Sequence, residues 1–228
     1  MEEESIVYTK VSQMSQSEII APPKKIKPHV RKVAAVTKPV PGNVIIPHQQ
    51  EGSVFSSPLK WYYPQLAWGK LCSFLQPILG GHFSGNEVWP GVWISDIGSV
   101  CELAPLQDRN IRHVVCAVLG VKPMFPKNLQ YTCLELRDTD DQDIYQYFDV
   151  IADLIHSETE AKKSILVHCR CGVSRSVTLV CAYLIKYQKM PALDAIRHIQ
   201  ESRPCANPIK PFRNQLKSYE SNCRENDE

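Results

Sequence analysis

Residues 164–176, Ser-Ile-Leu-Val-His-Cys-Arg-Cys-Gly-Val-Ser-Arg-Ser, constrain the fold of this 228-residue chain more than any other stretch. Ser164 to His168 is a compact aliphatic run of the length expected for a buried strand. Val177 to Ile185 is an apolar run long enough for a buried helix. Only a short loop containing Gly172 separates them. A strand feeding a tight loop that opens a helix aims backbone N–H groups and the helix N-terminus at one point, and an anion binds there. Here a thiol, Cys169, stands at the start of the loop and a guanidinium, Arg175, at its end. A thiolate gains from the same donors as an anion, so Cys169 is expected to ionise more readily than free cysteine. Arg175 offers the planar fork that grips two phosphate oxygens together. The stretch therefore supplies a nucleophile and an oxyanion clamp aimed at one phosphorus.

Composition sets the frame around this site. The length allows one ordinary domain with additional segments, and a hydrophobic content of 43% supports a real core. A formal charge of +2 gives no general affinity for polyanions, so no nucleic-acid partner is expected. The nine cysteines are scattered rather than set in framework spacing, and Met-Glu-Glu-Glu-Ser at the N-terminus has no signal-peptide character. They read as reduced thiols of a cytoplasmic or nuclear protein. No apolar run approaches the ~20 residues of a membrane helix. No metal-ligand grouping is evident, because Cys169 and Cys171 are too close for a zinc knuckle and have no second pair. No metal or other cofactor is expected, and no pattern points to an oligomeric state.

His168-Cys169, five residues, then Arg175-Ser176 resembles the signature of the cysteine-dependent protein phosphatases, closest to their small (atypical) dual-specificity branch. The resemblance covers about residues 85–220. Glu87 to Asp96 resembles the family's opening strands, and Arg203-Pro204 with Pro208 to Glu220 its closing helices. It implies a metal-free protein phosphatase that accepts phosphotyrosine and phosphoserine or phosphothreonine through a phosphocysteine on Cys169. His168 would orient the loop and help keep the thiol ionised, and the Ser176 hydroxyl would stabilise the departing thiolate. Arg170, Cys171, Gly172, Val173, Ser174 and Arg175 would line the substrate phosphate. Ser174 reads as a loop-shaping hydrogen-bonder. Arg170 either faces the mouth of the site or is simply solvated.

The leaving oxygen needs a proton, and Asp138, Asp140, Asp141 and Asp143 crowd one polar turn. Asp143 with Gln146 looks like a capping box for the next helix. In the family the acid follows a strand by a few residues and precedes the cysteine by about thirty, which favours Asp138; Asp140 and Asp141 remain alternatives. Two features depart from the family. Cys171 stands where alanine or an acidic residue is common. Its closeness to Cys169 suggests capture of a sulfenic acid, but a disulfide between residues i and i+2 is strained, which favours a packing role. Pro208-Ile209-Lys210-Pro211-Phe212 replaces the usual Pro-Asn-x-Gly-Phe and leaves the local loop geometry open.

Along the chain, residues 1–55 read as a Pro-rich, basic, disordered arm. Within it Lys24 to Lys32 reads as a solvated basic run, with nuclear import or docking to an acidic groove on a partner such as a kinase as the functional alternatives. Residues 56–84 read as an aromatic, amphipathic extension whose stripe Ala67, Leu71, Phe74, Leu75 and Ile78 has helical spacing; core packing is favoured, because exposed aromatics would be an aggregation hazard, and a partner-binding helix is the alternative. The catalytic domain is set at 85–222 and a tail at 223–228. Within the domain, residues 98–110 suit a helix, Ile111–Val118 and Gln130–Leu136 buried strands, and Ile144, Phe148, Ile151 and Ile155 the buried face of a helix. His156–Lys163 reads as a linker, and Pro191–Arg203 and Phe212–Tyr219 as helices, with Leu193, Ile196 and Ile199 inward. This βαβ rhythm predicts an α/β fold with a central, mostly parallel twisted sheet flanked by helices. Two other functions fit the motif: a phosphatase for RNA 5′-phosphates or phosphoinositides with the same chemistry, and a pseudophosphatase that only holds phosphopeptides.

Overall fold

A computed structural model describes residues 82–225, together with the short strand Val44–Ile46 and the helical residues Ala67, Lys70 and Leu71. Six runs rich in aliphatic and aromatic residues form strands: β1 (Val44–Ile46), β2 (Asn86–Trp89), β3 (Val92–Ser95), β4 (Ile111–Cys116), β5 (Gln130–Leu134) and β6 (Ser164–His168). They join one sheet in the order β1-β5-β4-β6-β3-β2. Every neighbouring pair is parallel except the β2–β3 hairpin. Gly91 turns that hairpin at φ +77°, where a side chain would strain the backbone. The mostly parallel sheet read from the sequence is therefore the observed one. β6 lies between β3 and β4, and Ile165, Leu166 and Val167 are wholly buried because both faces of a central parallel strand are covered.

Within residues 82–225, five helices cover the sheet: α1 (Ala104–Asp108), α2 (Phe148–Glu160), α3 (Arg175–Gln188), α4 (Ala192–Ser202) and α5 (Lys210–Glu225). Two 3-10 turns, Gly98–Val100 and Tyr145–Tyr147, complete the elements. α3 is the central helix. Each residue from Arg175 to Ile185 is buried, as α3 is packed against α2, α4, α5 and the sheet. Lys189 closes it in the left-handed region (φ 55°), and the Met190 N–H reaches back to the Leu184 carbonyl.

Several sequence expectations require correction. Val44–Ile46, inside the arm read as disordered, pairs with β5 from Thr132 to Leu134 as an edge strand. The rest of that arm, including Lys24 to Lys32, lies outside the described residues. Of the stripe at residues 67–78, Ala67 and Leu71 are exposed rather than packed on the core; the others lie outside the described residues. The helix expected over 98–110 is a 3-10 turn followed by the short α1. His156–Glu160 is the last part of α2, not linker, and His156 stacks on Tyr187 at 3.9 Å. Leu193 is 46% exposed, because α4 buries Ala192, Ala195, Ile196 and Ile199, and Leu193 sits one residue round from that stripe. α5 continues through Glu225, so the tail expected from 223 is partly helix. Asp143 accepts from the Tyr145 N–H at 3.0 Å, and the Gln146 amide donates to the Asp143 carbonyl at 3.1 Å. This braces the 3-10 turn rather than forming the expected capping box on α2.

His113 is structural, as its setting in a strand suggests. Its ring meets Thr132 Oγ1 at 2.9 Å and Glu158 Oε1 at 3.4 Å, which links β4, β5 and α2. The hydrogen bond to His113 holds the Glu158 carboxyl below its usual range, against the opposing effect of burial. A depressed carboxyl stabilises the fold above its unfolded value of ~4.3, and that contribution is lost as pH falls through the lower folded value. Glu158→Gln is expected to cost about 1–3 kcal/mol at pH 7. Urea melts of both proteins should show the gap narrowing below about pH 4; a gap independent of pH would contradict the linkage.

Candidate active site

β6 ends at His168 and α3 starts at Arg175, so six residues span the gap between the sheet edge and the helix. The loop is anchored from four sides. The Ala117 N–H, after β4, donates to the His168 carbonyl at 2.9 Å. The Ile97 N–H, after β3, donates to the Arg170 carbonyl at 3.3 Å. The Asn207 N–H donates to the Val173 carbonyl at 2.8 Å. Arg203 donates to the carbonyls of Gly172 (2.6 Å) and Cys171 (3.2 Å). Gly172 itself has φ +65°, and a Cβ there would lie 2.4 Å from Arg203 and 2.6 Å from the Ser95 carbonyl. Only glycine satisfies both the conformation and the close approach.

Cys169 lies at the base of this loop, 2% exposed. Its sulfur accepts from the Gly172 N–H at 3.2 Å and the Ser176 hydroxyl at 3.3 Å. Burial opposes ionisation of this thiol. The Arg175 charge, the Ser176 hydroxyl and the N–H groups of Ser176 and Val173 outweigh it, so the thiol lies below its ordinary value. Arg175 is buried too, with Nη1 donating to the Leu136 carbonyl at 2.9 Å. Its Nε has no hydrogen-bond partner, a buried donor that an oxyanion would satisfy.

Among the four aspartates, Asp138 is the one tied to this loop. Its Oδ1 accepts from the Ser174 hydroxyl at 2.8 Å, and its Oδ2 lies 3.8 Å from Arg175 Nε. Asp141 instead pairs with Arg137 at 3.1 Å, Asp143 braces the 3-10 turn, and Asp140 is exposed. Ser174 does more than shape the loop. Its oxygen also accepts from the Ile209 N–H at 3.3 Å, so its single proton is directed to Asp138. The altered Pro208–Phe212 segment thereby still meets the loop, through backbone groups that any sequence could supply. The following residue, Lys210, starts α5, where Pro211 is tolerated in the first turn and Phe212 is buried.

One role drawn from the resemblance changes, and so does the packing role read for Cys171 at its departure from the family. Burial pushes the His168 imidazole down to about 4, so it is neutral near pH 7 and lends the thiolate no charge. Cys171 is exposed, which rules out packing as the reason for a thiol there. Arg170 is likewise exposed at the loop. Among the described residues, no three His, Cys, Asp or Glu side chains are grouped to hold a metal ion. Sequence reasoning missed Arg203 and the Leu136 carbonyl as parts of the site. The Arg203-Pro204 pair was visible only as part of a closing pattern, and a backbone carbonyl leaves no sequence signal.

Residues 92–222 match the family model described as "Dual specificity phosphatase, catalytic domain". The chain belongs to the dual specificity phosphatase family. It is similar to "MAP kinase phosphatase with leucine-rich repeats protein 3" of Dictyostelium discoideum, with 36% identity over 60% of this chain and 16% of that protein. It is similar to "Dual specificity protein phosphatase 21" of Homo sapiens, with 34% identity over 60% of this chain and 73% of that protein. Among solved structures it resembles the "human tyrosine phosphatase-like serine/threonine/tyrosine-interacting protein", with a TM-score of 0.59 and 29% identity, covering 61% of this chain and 97% of the other. A dual specificity phosphatase domain thus accounts for the matched residues. No helix among the described residues is long and apolar enough to cross a membrane.

Proposed function

We propose that the domain at 85–222 is a dual-specificity protein phosphatase that hydrolyses phosphotyrosine and phosphoserine or phosphothreonine through a phosphocysteine on Cys169. The observation that carries this reading is the thiol held below its ordinary value beside a buried guanidinium with an unsatisfied donor. A pseudophosphatase that only holds phosphopeptides would use the guanidinium but has no need of the lowered thiol. Cys169 attacks phosphorus, and Arg175 with the loop N–H groups holds the equatorial oxygens as charge builds on them. Asp138 protonates the leaving oxygen, then takes a proton from the water that cleaves phosphocysteine. The Ser176 hydroxyl stabilises the departing thiolate. The fixed loop positions these groups before the substrate arrives, so little reorganisation is needed during the reaction.

The substrates are phosphoproteins of the cytoplasm or nucleus, where the thiol stays reduced. The basic run Lys24 to Lys32 provides a docking segment for an acidic surface, such as that of a kinase.

Asp138→Asn tests the assignment of the acid. It is expected to lower kcat/KM on an alkyl phosphate by about 10²–10⁴-fold. The loss on an aryl phosphate with a good leaving group should be much smaller, because that oxygen needs no proton. The alkaline fall of the pH–rate profile should flatten in the variant. Wild-type behaviour of Asp138→Asn, with loss in Asp140→Asn or Asp141→Asn, would reassign the acid. Comparing phosphopeptides with RNA 5′-triphosphates and inositol phosphates tests substrate class; preferential turnover of either of the latter would overturn the protein-phosphatase reading.

A further inference from the structure

One buried cation outside the catalytic machinery contacts the loop from behind. Arg203, at the end of α4, is 5% exposed. Its Nε donates to the Gly172 carbonyl at 2.6 Å and its Nη2 to the Cys171 carbonyl at 3.2 Å. Its Nη1 donates to the Ser84 carbonyl at 3.0 Å and to Asn86 Oδ1 at 2.7 Å. All four acceptors are neutral, and no ion pair among the described residues includes it. Burying a guanidinium without a carboxylate is costly, which makes a purely architectural anchor a poor explanation.

The geometry of the peptide group supplies a better one. A trans peptide carries its C=O and N–H on opposite edges. The peptide whose carbonyl belongs to Cys171 carries the Gly172 N–H, and that N–H points at Cys169 Sγ from 3.2 Å. The peptide whose carbonyl belongs to Gly172 carries the Val173 N–H, which is among the donors that favour the Cys169 thiolate. One guanidinium therefore grips two consecutive peptides by their outer edges and turns both inner edges toward the nucleophile. The missing Cβ of Gly172 is what admits it, since that atom would stand 2.4 Å from Arg203 Nη2.

We propose that Arg203 is a positioning residue for catalysis: it orients the Gly172 and Val173 N–H groups that stabilise the Cys169 thiolate and the oxygens of the phosphoryl group in transfer. The buried cation polarises both peptides, so the anion in the loop is the partner that its charge lacks. This role rests on the phosphatase reading above, but its test does not require turnover.

Two variants separate positioning from architecture. Arg203→Lys keeps a cation but not the fork that holds two carbonyls at once. Asn86→Ala removes one of the contacts on the far side and leaves Nε and Nη2 on the loop. The ionisation of Cys169 is read from the pH dependence of its alkylation by iodoacetamide. Oxyanion binding is read from inhibition of that alkylation by orthovanadate, and folding from thermal melts. In Arg203→Lys, alkylation should shift to higher pH and vanadate protection should weaken by about tenfold. Asn86→Ala should match the wild type in both. A folded Arg203→Lys with wild-type alkylation and vanadate protection would overturn the proposal, as would an equal shift in Asn86→Ala. Should Arg203→Lys fail to fold, Arg203→Gln, which can hold a single carbonyl, is judged by the same two readouts. If the wild type turns over no aryl phosphate, the phosphatase reading fails, while the alkylation profiles still judge Arg203.

Discussion

Cys169→Ser is expected to reduce phosphatase activity by about 10⁴-fold or more while leaving the fold and anion binding in place. The sulfur occupies a fully enclosed position, and an oxygen is smaller, so the swap introduces no overpacking. Gly172, Ser176 and Arg175 still face that point and still hold a phosphate. What disappears is ionisation. The donors that lower the thiol below its ordinary value cannot bring a hydroxyl into a comparable range, so the nucleophile is lost. The variant should therefore bind phosphopeptide without releasing phosphate, which isothermal titration and a phosphate-release assay measure side by side. There is also a signature in stability. A thiol whose folded value is depressed stabilises the native state above its unfolded value of ~8.5, and this contribution fades as pH falls through the folded value. Wild type should thus gain stability relative to Cys169→Ser as pH rises through that window. Equal activity in the two proteins would place the nucleophile elsewhere.

Arg175→Lys carries the second large effect, a loss of about 10³-fold in kcat/KM. In the proposed mechanism Arg175 has two tasks for one rigid group. Nη1 is fixed on the Leu136 carbonyl, while Nε is buried without a hydrogen bond, 3.8 Å from Asp138 Oδ2. An ammonium can bond the carbonyl or reach the phosphoryl oxygens, but its single nitrogen lacks the planar fork that does both. Because lysine keeps the positive charge, Cys169 alkylation should shift less than in Arg175→Met, whereas activity should fall in both. Steady-state kinetics with an aryl phosphate, combined with alkylation profiles, separate these contributions. Retention of activity within a few-fold by Arg175→Lys would mean that charge alone suffices.

The centre of this fold was legible because its signals are local. Ser164 to His168 and Val177 to Ile185 are continuous apolar runs, and continuity is what a central parallel strand and a buried helix require. Cys169 and Arg175 are six positions apart and Ser176 is seven from Cys169, across one loop and the first turn of α3, so their meeting needed no tertiary knowledge. Errors arose where burial is decided at a distance. Leu193 carries an apolar side chain that the described residues leave 46% exposed. Val44–Ile46 is only three residues long and lies between Pro41 and Pro47, so its β-branched run is too short to read as a strand without its pairing with β5. Asp138 stood among four similar carboxylates, favoured there by family spacing alone, and its contacts with Ser174 and Arg175, 36 and 37 positions away, set it apart. Arg203 was the least visible, since its effect runs through peptide groups 31 residues earlier and through the absence of a side chain at Gly172. His168 was read as helping to keep the thiol ionised, but burial leaves its imidazole neutral near pH 7, a result no sequence pattern encodes.

Trapping the covalent intermediate is the most direct test of the central claim. Wild type and Asp138→Asn are mixed with an aryl phosphate in the presence of chelator, quenched in acid within the first turnover and digested for peptide mapping. Phosphorus attached to the peptide at Cys169, accumulating to a higher level in Asp138→Asn because the hydrolytic water lacks its base, is the predicted result. Phosphate release without any labelled Cys169 peptide, or turnover abolished by the chelator, would contradict the account.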